Sequence, residues 1–292
     1  MIRCRKLRGT QACTQWSTIR RSCQLLAFGS WNTPLRDFRM NRTALSDYPN
    51  YVSADRVFLT AEWQYLAMLN YEVDAAMLLP FVPAGTELDR WQGKIFASLV
   101  GFRFLKTKLL GFLPMPMHSN FEEVNLRFYV RRRAGTEVRR GVVFIREMVP
   151  RRAIAYVART FYKENYVALP MAHEIRSADN DRLRVAYRWR SENRWGEMNL
   201  ETDGNSEVPG EGSIEQFITE HYWGYSGQPG GGCVEYRVTH PSWRVWQVRR
   251  SAFEGDAEKL YGKEIATVLQ GKPHSAFLAE GSAVSVMWGR SL

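Results

Sequence analysis

The sequence predicts an α+β fold that is mainly β: an antiparallel sheet or barrel with a few covering helices. Short apolar and aromatic runs are separated by Gly, Pro, Asn and Asp turn signals, and helical periodicity is confined to brief stretches. Aromatic residues make up 13% of the chain, with ten tryptophans, so a sizeable core is available. No internal repeat or linker follows residue 50, so residues 50–292 are expected to form a single domain.

Residues 1–45 read as a basic leader without strand periodicity. Its first 39 residues hold eight Lys/Arg and one acid, a net charge of +7, and three of the four cysteines, Cys4, Cys13 and Cys23. Three readings fit it: an Arg-rich, acid-poor transit peptide, a disordered basic arm, or translated upstream sequence with the true start at Met40. The last is favoured, because Met40 lies just before the first patterned segment.

Trp63–Val73 is a strand-like run. Asp74 caps a short helix through Leu79, ended by Pro80 and Pro83. Thr86–Trp91, a Gln92-Gly93 turn and Lys94–Phe104 read as a hairpin. Leu105–Asn120, rich in Gly and Pro, is expected to be a loop with an apolar tip that serves as a lid. Val124–Arg131 and Val138–Met148 flank an Ala134-Gly135-Thr136 turn as a second hairpin. Ala153–Lys163 reads as a helix. Leu183–Ser191 and Trp195–Thr202 make another hairpin, and Ser213-Ile-Glu-Gln216 is a capping box that opens a helix to Trp223. Gly224–Gly232 reads as a flexible connection. Cys233–His240 and Trp243–Arg250 are strands broken by Pro241. Asp256 caps a helix to Gln270, and Ala276–Trp288 alternates as a closing strand.

Composition narrows the partners. Outside the first 39 residues the chain has 32 basic and 29 acidic side chains, a net charge of +3. That gives no electrostatic reason to expect nucleic acid. No apolar run reaches the roughly 18–20 residues that a membrane helix needs. Cys233 alone in the body cannot close an internal disulfide, which fits a reducing, cytoplasmic setting.

The sharpest functional signal is Phe121-Glu-Glu-Val-Asn-Leu-Arg127. On a strand, Glu123, Asn125 and Arg127 share one face, while Val124, Leu126 and Phe128 fill the other. An acid, an amide and a guanidinium backed by an apolar face suit a pocket wall, with the carboxylate ionised beside the guanidinium. The plainer alternatives are a structural ion-pair network and the solvated face of an edge strand. Arg159, Tyr162 and Tyr166, spaced three and four apart, align on a helix where they can hold a carboxylate or carbonyl; the alternative is packing of the two rings.

The histidines are His118, His173, His221, His240 and His274, and none pair at metal-ligand spacing, so no metal is expected. His221 and Tyr222 sit at a helix end, where a cationic His also suits the dipole. His240 ends a strand. Both positions are read first as structural, and His221 and Tyr222 alone are carried forward as ligand-binding candidates. The Gly224–Gly232 segment follows a helix and precedes a strand, the reverse of a phosphate-binding loop. No P-loop and no nucleophile elbow occur, so no cofactor is implied.

The order of several motifs resembles a known family. Trp63-x-x-Leu-x-Met-Leu-Asn-Tyr-Glu-Val-Asp74, Leu79-Pro-Phe-Val-Pro83, Phe121–Arg127, Ala158-Arg-x-x-Tyr162, Phe217-Ile-Thr-Glu-His-Tyr222 and His240-Pro-x-Trp243 are similar to the YqjF-like family. It belongs to the acetoacetate decarboxylase-like superfamily, and the resemblance covers roughly residues 55–290. It implies a closed antiparallel conical β-barrel with helices packed outside and a pocket within. Acetoacetate decarboxylase forms a Schiff base on a lysine whose pKa is held down by an adjacent lysine. Laid on this chain, that motif places Arg159 at the arginine and Glu123 at the strand acid. Its two lysines fall on Tyr166 and Val167, and neither can form an imine; Lys163 is three positions early.

The sequence therefore points to a small-ligand protein without Schiff-base decarboxylation. Glu123 would act as a base, with Arg127 or Tyr166 stabilising an oxyanion. Asn125, Arg159, Tyr162, His221 and Tyr222 would line the site. The alternative is a non-catalytic ligand-sensing or protein-interaction module.

Overall fold

The computed structural model describes residues 56–114, 119–150, 165–177 and 182–292. The leader with Met40, the Ala153–Lys163 segment, Arg159, Tyr162, Lys163 and His118 lie outside these residues.

Alternating side chains build one large, mainly antiparallel sheet. Strand β1 (Val57–Glu72) lies between β3 (Phe96–Leu109) and β14 (Ser275–Met287), antiparallel to both. Strand β3 pairs with β5 (Phe121–Ala134), and β5 with β6 (Glu137–Val149) across a turn at Gly135. Strand β6 runs parallel to both β7 (Tyr166–Ala168) and β11 (Trp223–Gly227). Strand β11 pairs with β12 (Cys233–Thr239), which reaches β14 through Val238–Val286 and Thr239–Ser285. The hydrogen-bonded path β12-β11-β6-β5-β3-β1-β14 thus returns on itself. From β14 an arm continues through β13 (Val245–Glu254), β10 (Arg194–Glu207), β9 (Leu183–Ser191) and β8 (Met171–Ser177).

Strand β5 separates two apolar cores, as period-two alternation requires. Val124, Leu126, Phe128 and Val130 join Tyr187, Trp189 and the helices near the C-terminus. Phe121 and Tyr129 join Phe102, Phe104, Phe217 and Trp243 on the other face. Helix α1 (Ala75–Leu78) is capped by Asp74, which accepts the Ala76 amide at 2.9 Å. Helix α2 (Ile214–Thr219) is capped by Ser213 and lays Ile214, Phe217 and Ile218 on the second core. Helices α3 (Ala257–Tyr261) and α4 (Lys263–Leu269) cover the first. No helix among the described residues is long and apolar enough to cross a membrane.

Five expectations are corrected. The single helix from Asp256 to Gln270 is two helices, because Gly262 takes φ +84° between them. Residues Glu87–Leu88 (β2) pair with Arg131 and Val130 of β5 instead of forming a hairpin with β3, whose two edges are taken by β1 and β5. The Leu105–Asn120 loop begins later, since β3 continues to Leu109 and then pairs back with β4 (Leu113–Pro114). The helix expected to reach Trp223 stops at Thr219. Gly224–Gly227, expected to be part of a loop, lies in the strand Trp223–Gly227, and Gly224 has a steric role: a Cβ there would meet the Tyr236 ring at 2.1 Å.

Candidate ligand-binding cavity

The second core is incomplete. Beside β5 it leaves a cavity of about 130 Å³, walled by Trp63, Phe102, Phe104 and Trp243 and faced by Glu123, Asn125, Arg127, Glu147, Tyr166, His221 and His240. The size falls below the roughly 300 Å³ at which drug-sized pockets begin, so the space suits a molecule of few heavy atoms.

Three of these groups stand in one row across neighbouring strands. Tyr166 on β7 is opposite Glu147 on β6, and Glu147 is opposite Asn125 on β5. Tyr166 is therefore placed by a strand and not by the helix that its spacing from Tyr162 suggested. Glu123 is 3% exposed. It accepts from Asn125 Nδ2 at 2.9 Å and from the Tyr166 hydroxyl at 3.4 Å.

The expected pairing of Glu123 with Arg127 does not occur. Arg127 is 8% exposed and makes one long contact, from Nη2 to the Ile218 carbonyl at 3.5 Å. Its guanidinium lies 5.8 Å from the Tyr129 ring centroid, and its Nε has no hydrogen-bond partner. The β5–β6 register shifts between Leu126 and Arg127 with its extra residue, Ile145, on β6, so the alternation of β5 is intact and Arg127 keeps the cavity face.

His221 follows α2, packed against Phe217 and Tyr129. Its Nε2 lies 3.2 Å from Asp89 Oδ2, and Asp89 also accepts from Arg140 Nε at 2.7 Å. Burial would raise the Asp89 carboxyl, but the hydrogen bonds from His221 and Arg140 outweigh it and hold the pKa near about 2. An ionised carboxylate can only accept, so Nε2 carries the imidazole proton and Nδ1 keeps its lone pair. Burial pushes His221 down to about 4, with Asp89 opposing and the charges of Arg140 and Arg127 adding to the fall. The cation expected at this helix end is thus a neutral imidazole.

His240 donates Nδ1–H to the Pro241 carbonyl at 2.9 Å and stacks on Trp243 at 4.0 Å. Burial pushes its pKa down to about 4; the Pro241 carbonyl opposes and Arg127 adds to the fall. Tyr222 does not line the cavity, and its ring lies 4.9 Å from that of His240.

Sequence reasoning missed Asp89, Arg140 and Glu147 and gave His240 no place in the site. Glu147 had a signal: counting residues outward from the Gly135 turn brings it close to Asn125. Asp89 lies 132 residues from His221, and nothing local to either residue marks the pair.

The sequence profile of a family described as an uncharacterized conserved protein, DUF2071, matches residues 60–283. No curated protein matches the chain. Solved structures share the fold. Acetoacetate decarboxylase from Legionella pneumophila is 11% identical with a TM-score of 0.57, over 84% of this chain and 92% of that one. The enduracididine biosynthesis enzyme MppR complexed with pyruvate is 12% identical with a TM-score of 0.56, over 80% and 90%. An acetoacetate decarboxylase-like enzyme from Sphingomonas wittichii RW1 is 11% identical with a TM-score of 0.55, over 80% and 93%. At such identities the likeness speaks for the fold alone. The profile match covers most of the chain and coincides with the strands that build the cavity, so the chain belongs to the DUF2071, YqjF-like family and has an acetoacetate decarboxylase-like fold.

Proposed function

We propose that this protein binds a small organic carboxylate or carbonyl compound in the cavity beside β5. On this reading the ring of strands is the conical barrel of the resemblance, and the cavity is its interior. The observation that carries the reading is Arg127. Its guanidinium faces the cavity, is buried, and has no ion-pair partner among the described residues. A buried cation without a counter-charge is costly, and a ligand carboxylate on the guanidinium offsets that cost. The neighbouring MppR structure is complexed with pyruvate, a carboxylate of the size that this cavity suits, which supports the assignment.

For a ligand with an acidic C–H next to its carbonyl, Glu123 is the base. It takes the proton, the C–H electron pair moves to the carbonyl oxygen, and Arg127 or Tyr166 donates to the resulting oxyanion. Imine chemistry is not part of the proposal, since no lysine lines the cavity among the described residues. A second reading, a non-catalytic ligand sensor, is favoured by Glu123 itself, whose two oxygens already accept from Asn125 and Tyr166.

Titration with a panel of small acids and carbonyl compounds, followed by calorimetry or ligand-observed NMR, tests the binding claim. The expected result is binding by the unmodified protein and loss of at least about tenfold in Arg127→Met. Failure of every compound to bind would remove the proposal. Exchange of the ligand's C–H protons with deuterated solvent, abolished in Glu123→Gln, separates the enzyme from the sensor.

A further inference from the structure

Several polar atoms on residues lining the cavity have no hydrogen-bond partner, Trp63 Nε1 and Thr107 Oγ1 among them, and the three on the β5 wall and at His221 define the ligand more closely. Arg127 Nε, a donor, and Asn125 Oδ1 and His221 Nδ1, both acceptors, have no hydrogen-bond partner. Their residues are 8%, 1% and 6% exposed and all face the cavity. The orientation of each acceptor is fixed from behind. Asn125 Nδ2 donates to Glu123 at 2.9 Å, and since a carboxylate cannot donate in return, the amide cannot flip. Asp89 fixes the proton on His221 Nε2 in the same way, and Arg140 anchors Asp89 at 2.7 Å.

We infer that the ligand is a small 2-hydroxy carboxylate, with its carboxylate on Arg127 and its hydroxyl donating to His221 Nδ1 beside Asn125 Oδ1, and that Asp89 is the positioning residue that sets this preference. The inference rests on the carboxylate assignment above. A 2-oxo acid brings only acceptors and leaves both lone pairs unpaired, and a simple alkyl acid does the same. A 2-amino acid brings donors, but its ammonium adds a charge that Arg127 and Arg140 oppose, while Glu123 and Glu147 line the same cavity, so alanine is the competing ligand that the affinity test separates. Only a neutral hydroxyl meets one of the two lone pairs, that of His221 Nδ1, without adding charge. Sites built to hydrogen-bond a hydroxyl discriminate strongly against analogues that lack it, because their buried polar groups are then left unpaired.

Four acids of matched size, lactate, pyruvate, propionate and alanine, form the test, with affinities measured on the full chain. The expected order places lactate at least about tenfold tighter than propionate and tighter than pyruvate and alanine. Equal affinity for lactate, pyruvate and propionate would overturn the hydroxyl assignment and leave the carboxylate site standing. Tightest binding by alanine would overturn it in favour of an ammonium. No binding by any of the four would remove the underlying site reading. Asp89→Ala supplies an independent readout. It removes the acceptor that holds the proton on Nε2, so the imidazole tautomer is no longer fixed and the advantage of lactate over pyruvate is expected to shrink. Nitrogen NMR of His221 in the unmodified protein makes the inference testable even if that variant does not fold: protonated Nε2 with bare Nδ1 is expected, and the opposite tautomer would overturn it.

Discussion

His221 Nε2 and Asp89 Oδ2 meet at 3.2 Å although 132 residues separate them in the chain. The pair joins the segment after α2 to the segment after β2, and Arg140 ties both to β6. A neutral imidazole therefore persists in a buried site that also holds two arginine charges.

This arrangement makes stability depend on pH in a definite sense. His221 and His240 each have a folded pKa near about 4, against an ordinary value of 6.5. Between these values the unfolded chain binds protons that the native state does not, so stability rises with pH. The contribution is complete above about 6.5 and is lost as pH falls toward about 4, by up to about 3 kcal/mol for each histidine. Asp89, held near about 2 against 3.8, adds a second loss at still lower pH. Scanning calorimetry from pH 8 to pH 4 is expected to show a falling Tm, flattened in His221→Gln and His240→Gln. A flat profile in the unmodified protein would contradict the buried neutral state.

Imine chemistry is expected to be absent. Incubation with pyruvate and borohydride should leave the intact mass unchanged. The motif resemblance sets Tyr166 against the reactive lysine, and a tyrosine, here with its hydroxyl 3.4 Å from Glu123, forms no imine. A reduced adduct on Lys163 would overturn the reading of the site.

The β5 wall was legible because a strand has only two faces. Once Glu123, Asn125 and Arg127 were placed on one face, the cavity side and the core side of β5 followed. Glycine was the less legible signal. Gly224 reads as part of a flexible connection and Gly141 passes unremarked inside an expected strand, yet each lies under a tyrosine ring, where a Cβ would approach Tyr236 at 2.1 Å and Tyr225 at 2.6 Å. They are there for space, and β11 could form only because they are small. The absence of a Glu123–Arg127 pair had no such signal: sharing a face does not make two side chains pair, and the register shift at Leu126/Arg127 puts its extra residue on β6 and leaves the alternation of β5 intact. Asp89 was invisible because its partners come from the segment after α2 and from β6, and no single-sequence pattern links those segments.

Glu235 holds together strands that are distant in the chain. Its buried carboxylate accepts from Arg139 at 2.7 Å, Arg290 at 2.9 Å, Arg132 at 3.1 Å and the Tyr225 hydroxyl at 3.1 Å. Burial alone would raise its pKa, but the guanidiniums prevail and it falls below the usual range. Glu235→Gln keeps the shape and leaves three arginines facing a neutral amide, so a loss of about 3–5 kcal/mol is expected. Arg290→Ala, which removes a side chain that is 60% exposed, should cost about 1 kcal/mol or less. Urea midpoints distinguish the two, and equal losses would show that Glu235 is not the hub.

Gly281 places the tightest demand on the cavity wall. It lies opposite Gln64 at φ +83°, where an added Cβ would sit 2.0 Å from the Trp63 carbonyl oxygen. The β1 strand already bulges here, with Tyr65 at φ 54° and its register against β3 shifted between Gln64 and Ala67. Gly281→Ala must therefore push β1 outward, and Trp63, a wall of the cavity, moves with it. Gly85 is the control. It shares the positive φ, at +79°, but nothing lies within 4 Å of its Cβ position. Gly85→Ala should cost only the backbone strain, about 1–2 kcal/mol, while Gly281→Ala adds overpacking of about 1–3 kcal/mol. Denaturation midpoints give the difference, and weakened binding in Gly281→Ala alone is expected if Trp63 shapes the site. Equal stability losses in the two variants would place the cost in φ and not in the contact with β1.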